Sequence, residues 1–388
     1  MADASDAAGR RLPRVAGAAT RAGHRLSALA DLLRDRVISA GPLSIADFMG
    51  EALGHPEYGY YSTRDPFGVA GDFVTAPEIS QMFGELVGLW CAQVWRTTLA
   101  PRPAALVELG PGRGTLMADA LRAARMLPEF LGSLAIHLVE TSPPLRTRQR
   151  HVLADYPVQW HRSLQSVPGG PAFLIANEFF DALPVRQFEL TEAGWCERLV
   201  GLDPDGAGFR VVLAQEAEPR PPIPPETIAL ARVGDVAEVC PAALTLAEQI
   251  GHRIVRHGGA ALIIDYGHAM SAPGETLQAV RGHARHDPLE APGEADLTAH
   301  VDFATLSAAA AVAGAAVYGP VPQGLFLSRL GIAERAHRLR RGATPAQALE
   351  IDAACHRLIA AEEMGTLFKA LAITPPGSPA PPGFIEQQ

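Results

Sequence analysis

Hydrophobic positions recur at helical spacing over residues 26–49, where Leu26, Leu29, Leu32, Leu33 and Val37 precede a cap at Ser44 and a second apolar run at 45–49. Residues 54–78 break that spacing. They are crowded with Gly, Pro and aromatic side chains and are expected to form a long structured loop. Helical spacing returns over 79–95 through Met82, Phe83, Leu86, Leu89, Trp90 and Val94. The expectation is a helical N-terminal region over 26–103 that carries a covering loop.

From residue 104 the pattern changes to short apolar runs at 104–108, 134–139, 158–160 and 172–176, separated by helical stretches at 115–125 and 143–155. Strand and helix alternate in this way in a parallel α/β sheet. The rhythm stops over 185–216, where strand-like pieces at 185–190, 195–201 and 209–213 are separated by Gly194 and by Asp203-Pro204-Asp205-Gly206. This predicts an inserted antiparallel meander, closed by a Pro-rich connection at 219–225. A helix at 242–256 and a strand at 260–264, ending at Asp265-Tyr266-Gly267, resume the core. Residues 268–301 read as a polar, His-containing excursion, after which Asp302 caps a helix and 315–318 return to the sheet. Lys369, with Leu367, Phe368 and Leu371, reads as part of a C-terminal helix. The predicted organisation is a disordered extension at 1–25, the helical region at 26–103, and a core at 104–373 with insertions at about 185–235 and 268–301. A disordered Pro-rich tail at 374–388 follows.

Composition narrows the function class. The 388 residues are 48% hydrophobic and 19% charged, a balance that buries a core, and the net charge of -9 gives no general attraction for nucleic acid or anionic lipid. Cys91, Cys196, Cys240 and Cys355 form no CxxC pair, which disfavours a zinc site or a disulfide framework. A reducing cytoplasm is the expectation. The five arginines of residues 1–25 (Arg10, Arg11, Arg14, Arg21, Arg25) leave a mitochondrial presequence as the alternative. The apolar stretch at 306–317 falls short of the ~20 residues that a membrane-spanning helix needs. Lys369 is the only lysine, a bias that suggests a GC-rich bacterial genome.

Between the first strand and its helix lies Glu108-Leu109-Gly110-Pro111-Gly112-Arg113-Gly114. A glycine turn there places backbone N–H groups at a helix N-terminus and lets a ligand approach unobstructed by Cβ atoms. Several nucleotide cofactors suit that geometry. The spacing is G-x-G-x-G, whereas the dinucleotide fingerprint would need glycine at Thr115, so a nicotinamide reading is weakened, not removed. Glu140 ends the next strand, where a carboxylate can accept from both hydroxyls of a ribose. With Glu108 placed to reach an amino-acid end, the set favours S-adenosyl-L-methionine and methyl transfer. That reaction depends on alignment and water exclusion more than on acid catalysis, so a second polar cluster should face the first.

Asn177-Glu178-Phe179-Phe180-Asp181 supplies it at the end of the fourth strand, where open α/β sheets place their ligands. Two carboxylates beside an amide can hold a guanidinium bidentately; a turn capped by Asp181 is the plain structural alternative. The words at 68–78 (GVAGDFVTAPE), 108–114 (ELGPGRG), 176–185 (ANEFFDALPV), 264–267 (IDYG), 296–303 (DLTAHVDF), 323–327 (QGLFL) and 364–369 (MGTLFK) resemble those of the MidA-like family. The resemblance runs over about 34–372. It implies a class I methyltransferase (Rossmann-like) α/β sheet with a helical N-terminal region and an inserted substrate-side module, and S-adenosyl-L-methionine as donor. For mitochondrial members it implies symmetric dimethylation of an arginine in a respiratory complex I subunit. Residue by residue, it implies that Gly110, Gly112, Gly114 and Glu140 bind cofactor while Asp72, Phe73, Thr75 and Glu78 close over it. Asn177, Glu178 and Asp181 would then face the substrate arginine of a protein client.

His283, His286 and Asp287, then His300 and Asp302, invite a metal reading, but His-x-x-His in an irregular segment lacks the geometry of a helical ligand pair, so no metal is expected. Tyr266 and His268 follow the fifth strand and are expected near the site. A methyltransferase for a small molecule, and a cofactor-binding chaperone that assembles a complex I subunit without catalysis, remain the competing readings.

Overall fold

The computed structural model describes residues 27–63 and 74–384. The extension expected at 1–25 lies outside the described residues, as do Asp72 and Phe73 of the expected covering loop.

Helix α1 (Ala28–Ala40) starts at Ser27, whose hydroxyl accepts the Ala30 N–H at 3.2 Å, and α2 (Ile45–Gly54) starts at Ser44, whose hydroxyl accepts from Asp47 at 2.9 Å. The apolar face of α2 buries Phe48, Met49 and Ala52. A single turn at Tyr60–Thr63 follows, then a short helix α3 (Ala76–Ile79) and the long α4 (Gln81–Thr98), capped by Ser80. Trp90 and Phe83 of α4 are fully buried, each worth roughly 1.5–3 kcal/mol of apolar transfer.

The central sheet is built from β1 (Ala104–Leu109), β2 (Leu134–Val139), β3 (Val158–His161) and β4 (Ala172–Asn177), with α5 (Thr115–Ala124) and α6 (Pro143–Val152) as the first two crossovers. Next come β5 (Arg186–Thr191), β6 (Gly194–Leu202), β7 (Phe209–Leu213) and β8 (Val236–Val239), which form a second, antiparallel sheet together with Leu43–Ser44. The expected meander is present, and it gains β8, whose Ala237 pairs with Phe188. Helix α7 (Pro241–His257) leads into β9 (Gly259–His268). The polar excursion folds into a small three-stranded sheet of β10 (Gln278–Arg281), β11 (Ala284–His286) and β12 (Asp296–Thr298). Asp302 caps α8 (Phe303–Val312), its carboxylate accepting from Ala304 and Thr305. Strand β13 (Ala316–Pro322) then precedes three helices and β14 (Phe368–Thr374).

In the central sheet the order is β3-β2-β1-β4-β9-β14-β13, parallel through β9, with β14 antiparallel to both neighbours. This is the class I methyltransferase sheet. Register brings the carboxyl ends of its strands level: Leu109 pairs with Val139 and Ala176, and Asn177 with Ile264. Gly110, Glu140, Glu178 and Asp265, each the next residue along its chain, therefore converge at one edge.

Lys369 lies in strand β14, which corrects the expected helix. Ala370, Leu371, Ala372 and Ile373 are all buried between two strands and two helical layers, so the run shows no period of two to mark it as a strand. The Pro-rich stretch after Thr374, expected to be disordered, makes specific contacts as far as Phe384. Trp90 Nε1–H donates to Pro382 O at 3.0 Å, and Phe384 packs on Phe326. Among the described residues no helix is long and apolar enough to cross a membrane.

Candidate active site

The glycine turn is built on left-handed backbone, with φ of +61° at Gly110, +51° at Gly112 and +85° at Gly114. A Cβ at Gly110 would stand 2.6 Å from Phe179 Cδ2, so the first glycine is needed for both conformation and space. Gln149, fully buried in α6, holds the turn against the next strand. Its Nε2 donates to Gly112 O at 2.7 Å and to Glu140 Oε2 at 3.2 Å, and its Oε1 accepts from Trp160 Nε1–H at 2.9 Å. Glu140 Oε1 accepts the N–H groups of Thr141 and Ser142, both at 2.8 Å. Burial raises the Glu140 carboxyl above its usual range, and these bonds oppose the rise.

Glu108, at the end of β1, is 3% exposed and its Oε2 has no hydrogen-bond partner. Burial, reinforced by the charge of Glu140, pushes it up to about 8. Thr75 begins α3, and Glu78 from that helix reaches the glycine turn: Thr115 Oγ1 donates to Glu78 Oε1 at 2.5 Å, and Arg113 Nη1 lies 3.6 Å from Oε2.

The substrate-side cluster is a sharp turn organised by a residue that the sequence reading did not single out. Asp265 Oδ2 accepts three successive N–H groups, from Phe179 at 3.0 Å, Phe180 at 2.9 Å and Asp181 at 3.3 Å, and Oδ1 accepts from Tyr266 at 2.9 Å. Asp265 has no exposed surface, and burial followed by the charges of Asp181 and Glu178 raises it well above the carboxylate range. The word IDYG was the signal available for it. Glu178 adopts φ +49°, a left-handed conformation that costs a non-glycine residue about 1–3 kcal/mol. Its Oε1 accepts the Ala76 N–H at 2.8 Å and Asn177 Nδ2 at 3.1 Å. Burial first of all raises Glu178 to about 7 and Asp181 to about 6. Asp181 is hydrogen-bonded to the Tyr266 hydroxyl, and its Oδ1 is left without a partner.

A cavity of about 670 Å³ runs from Gly110, Gly112 and Glu140 to Glu178, Asp181 and Tyr266. A smaller chamber of about 40 Å³ lies beneath the glycine turn, bounded by Thr75, Glu78, Glu108, Asn177 and Glu178. Asn177, expected on the substrate side, thus shares the small chamber with Glu108. His300 lines the main cavity with its ring against Tyr266, whereas the His286 ring turns to Glu290 O at 3.2 Å and His283 is exposed. His268 stands 3.8 Å from Asp302. Among the described residues no three His, Cys, Asp or Glu side chains converge as a metal site.

These features fit S-adenosyl-L-methionine. Left-handed glycines leave backbone open beside Glu140, and Glu108 Oε2 and Asn177 Oδ1, two buried acceptors without donors, suit an ammonium group. Comparison with known proteins agrees. A family model described as an S-adenosyl-L-methionine-dependent methyltransferase matches residues 86–321. The protein named "Protein arginine methyltransferase NDUFAF7, mitochondrial" of Danio rerio is 39% identical over 368 residues, covering 88% of this chain and 85% of the relative. Its namesake of Homo sapiens is 38% identical over 366 residues, covering 88% and 82%. Both names place those relatives in mitochondria, so the cytoplasmic expectation finds no support in them. A crystal structure from Burkholderia thailandensis bound to S-adenosyl-homocysteine superposes with a TM-score of 0.80 at 31% identity, covering 92% of this chain and 95% of that one. The chain belongs to the MidA-like family of S-adenosyl-L-methionine-dependent methyltransferases.

Proposed function

We propose that this methyltransferase acts on the guanidinium of a protein arginine, with Glu178 and Asp181 as the residues that receive it. The observation that carries the reading is the pair itself: two carboxylates in one cavity whose hydrogen-bond donors are all neutral. Burying carboxylates costs free energy unless a cation or a proton answers them, and a guanidinium answers both with planar, bidentate geometry.

Glu140 would hold the ribose of the cofactor, and Glu108 and Asn177 its amino-acid end. S-adenosyl-L-methionine supplies the electrophilic methyl group when bound. The chain's own groups orient a guanidinium nitrogen toward that methyl and exclude water. As the new N–C bond forms and the S–C bond breaks, that nitrogen loses a proton. Glu178, raised to about 7, is suited to accept it near neutral pH.

The names of the relatives support an arginine acceptor, and the family resemblance makes a respiratory complex I subunit the first client to test. Symmetric dimethylation and a mitochondrial setting belong to the same reading. The test is mass spectrometry of complex I subunits from cells with and without the gene. A methylarginine lost with the gene, and restored in vitro by the purified chain with S-adenosyl-L-methionine, supports the proposal. A mark that persists while assembly fails supports a holding role instead, and a methylated small molecule or another protein atom overturns the arginine assignment.

A further inference from the structure

Two arginines of the β10–β11 hairpin meet opposite surroundings. The hairpin closes on Gly282 and His283, both left-handed with φ of +57° and +61°, a turn whose twist matches its strands and fixes their register. Val280 stands opposite Arg285 and Arg281 opposite Ala284, so the two arginines project from opposite faces of the ribbon. Arg281 Nη2 lies 2.7 Å from Glu294 Oε2 and is neutralised there. Arg285 shares its face with Gln278 and Val280, and all three line the main cavity.

Among the described residues Arg285 is the one arginine or lysine on the walls of that cavity, and its guanidinium pairs with none of the carboxylates there. Those carboxylates are held by other groups. Glu140 accepts the N–H groups of Thr141 and Ser142, Glu178 that of Ala76, and Asp296 Oδ1 the Tyr61 hydroxyl at 2.8 Å. Glu140, Asp181 and Asp296 are buried, whereas Arg285 is exposed. The cavity therefore has its anions inside and one cation at an open wall.

A guanidinium in that place repels a substrate that is cationic throughout and attracts one that brings an anion beside its arginine. Its planar fork matches a carboxylate bidentately. The chain's net charge of -9 gives no general attraction for an acidic segment, so selection of one has to be local. We propose that Arg285 is a specificity-determining residue that binds a carboxylate of the client, an aspartate or glutamate flanking the methylated arginine. The arginine itself enters toward Glu178 and Asp181. The inference rests on the arginine reading and goes beyond it, because it defines the sequence context of the methylated site and assigns its recognition to the small inserted sheet.

The test uses the full chain with S-adenosyl-L-methionine and short alanine peptides that carry one central arginine. A single glutamate, glutamine or lysine is moved through the positions on either side of it. At one of these positions wild type is expected to favour glutamate over glutamine by about threefold in kcat/KM, and over lysine by about tenfold. The preference should fade as salt approaches 1 M, where the screening length is about 3 Å. Arg285→Glu should invert the ranking at that position and Arg285→Gln should flatten it, so the second variant serves if the first does not fold. Each ranking is a ratio within one variant, so a change in overall rate does not affect it, and S-adenosyl-homocysteine titration checks that each variant is folded. A wild type that neither binds nor methylates any of the arginine peptides overturns the arginine reading and this inference with it. Methylation with no preference at any position, or a glutamate preference that both variants retain, overturns the inference alone.

Discussion

Glu178 Oε1 accepts the backbone N–H of Ala76 at 2.8 Å, which ties the substrate side of the cavity to the first turn of α3. One carboxylate therefore carries a structural bond on one oxygen and leaves the other for chemistry. Glu178→Gln keeps an acceptor for Ala76 and removes the charge. Methyl transfer should fall by about 10²-fold or more, while S-adenosyl-homocysteine affinity stays within about twofold. Single-turnover transfer and calorimetric titration on the same preparation check it; turnover equal to wild type would remove Glu178 from the mechanism.

Asp265 is expected to act on shape more than on chemistry. It accepts four N–H groups at 2.9–3.3 Å, three of them on one oxygen. Asp265→Ala leaves those donors buried and unmatched, at a cost of about 1–3 kcal/mol for each group that finds no other partner. Urea denaturation should show a lower midpoint with little change in slope, and methyl transfer should fall because the turn carrying Glu178 and Asp181 loosens. Asp265→Asn keeps a carbonyl oxygen and should recover part of the stability.

The raised carboxyls set opposite pH trends for activity and stability. Glu178 at about 7 and Asp181 at about 6 must lose protons to receive a cation, so kcat/KM should fall as pH drops through that range. Stability runs the other way. A carboxyl whose folded pKa lies above its unfolded value contributes stability at low pH and loses it as pH rises through the folded pKa, because ionising it costs more inside than in water. For Glu108 that loss accumulates as pH rises from the ordinary carboxylate range to its folded value of about 8 and is complete above it. Glu108→Gln removes the ionisation, so its Tm should exceed that of wild type more at pH 8.5 than at pH 5.5, about half a unit above and well below that value. A Tm difference independent of pH would show that Glu108 does not titrate there.

How much of this site was readable in the sequence depended on distance along the chain. The glycine turn and Glu140 lie next to their own strands, so pattern and position were enough to find them. The roles of Asp265 and Gln149 depend on register and on a helix face: Ile264 must pair with Asn177 before Asp265 can meet Phe179, and α6 must pack before Gln149 can bridge Gly112 and Glu140. The Tyr61–Asp296 contact joins the N-terminal region to the insertion at 268–301 and had no local signal. Strand β14 was misread as a helix for a related reason, since a strand buried on both faces has no alternation to show.

Gly110 offers the sharpest separation of backbone strain from side-chain collision. Its φ of +61° would strain any Cβ-bearing residue, and the added atom would meet Phe179 Cδ2 at 2.6 Å. The strain acts on the turn itself, and Gly110→Ala should cost about 1 kcal/mol or more in stability on that account. The collision acts on Phe179, which lines the cavity between the glycine turn and Glu178, so it should also weaken S-adenosyl-homocysteine binding. Phe179→Ala removes the collision and leaves φ unchanged. In a double-mutant cycle, Phe179→Ala should therefore restore part of the affinity lost by Gly110→Ala without restoring the conformational part of the stability. Fully additive effects on affinity would mean that the aromatic ring moves aside freely, and that the glycine is required for its backbone conformation alone.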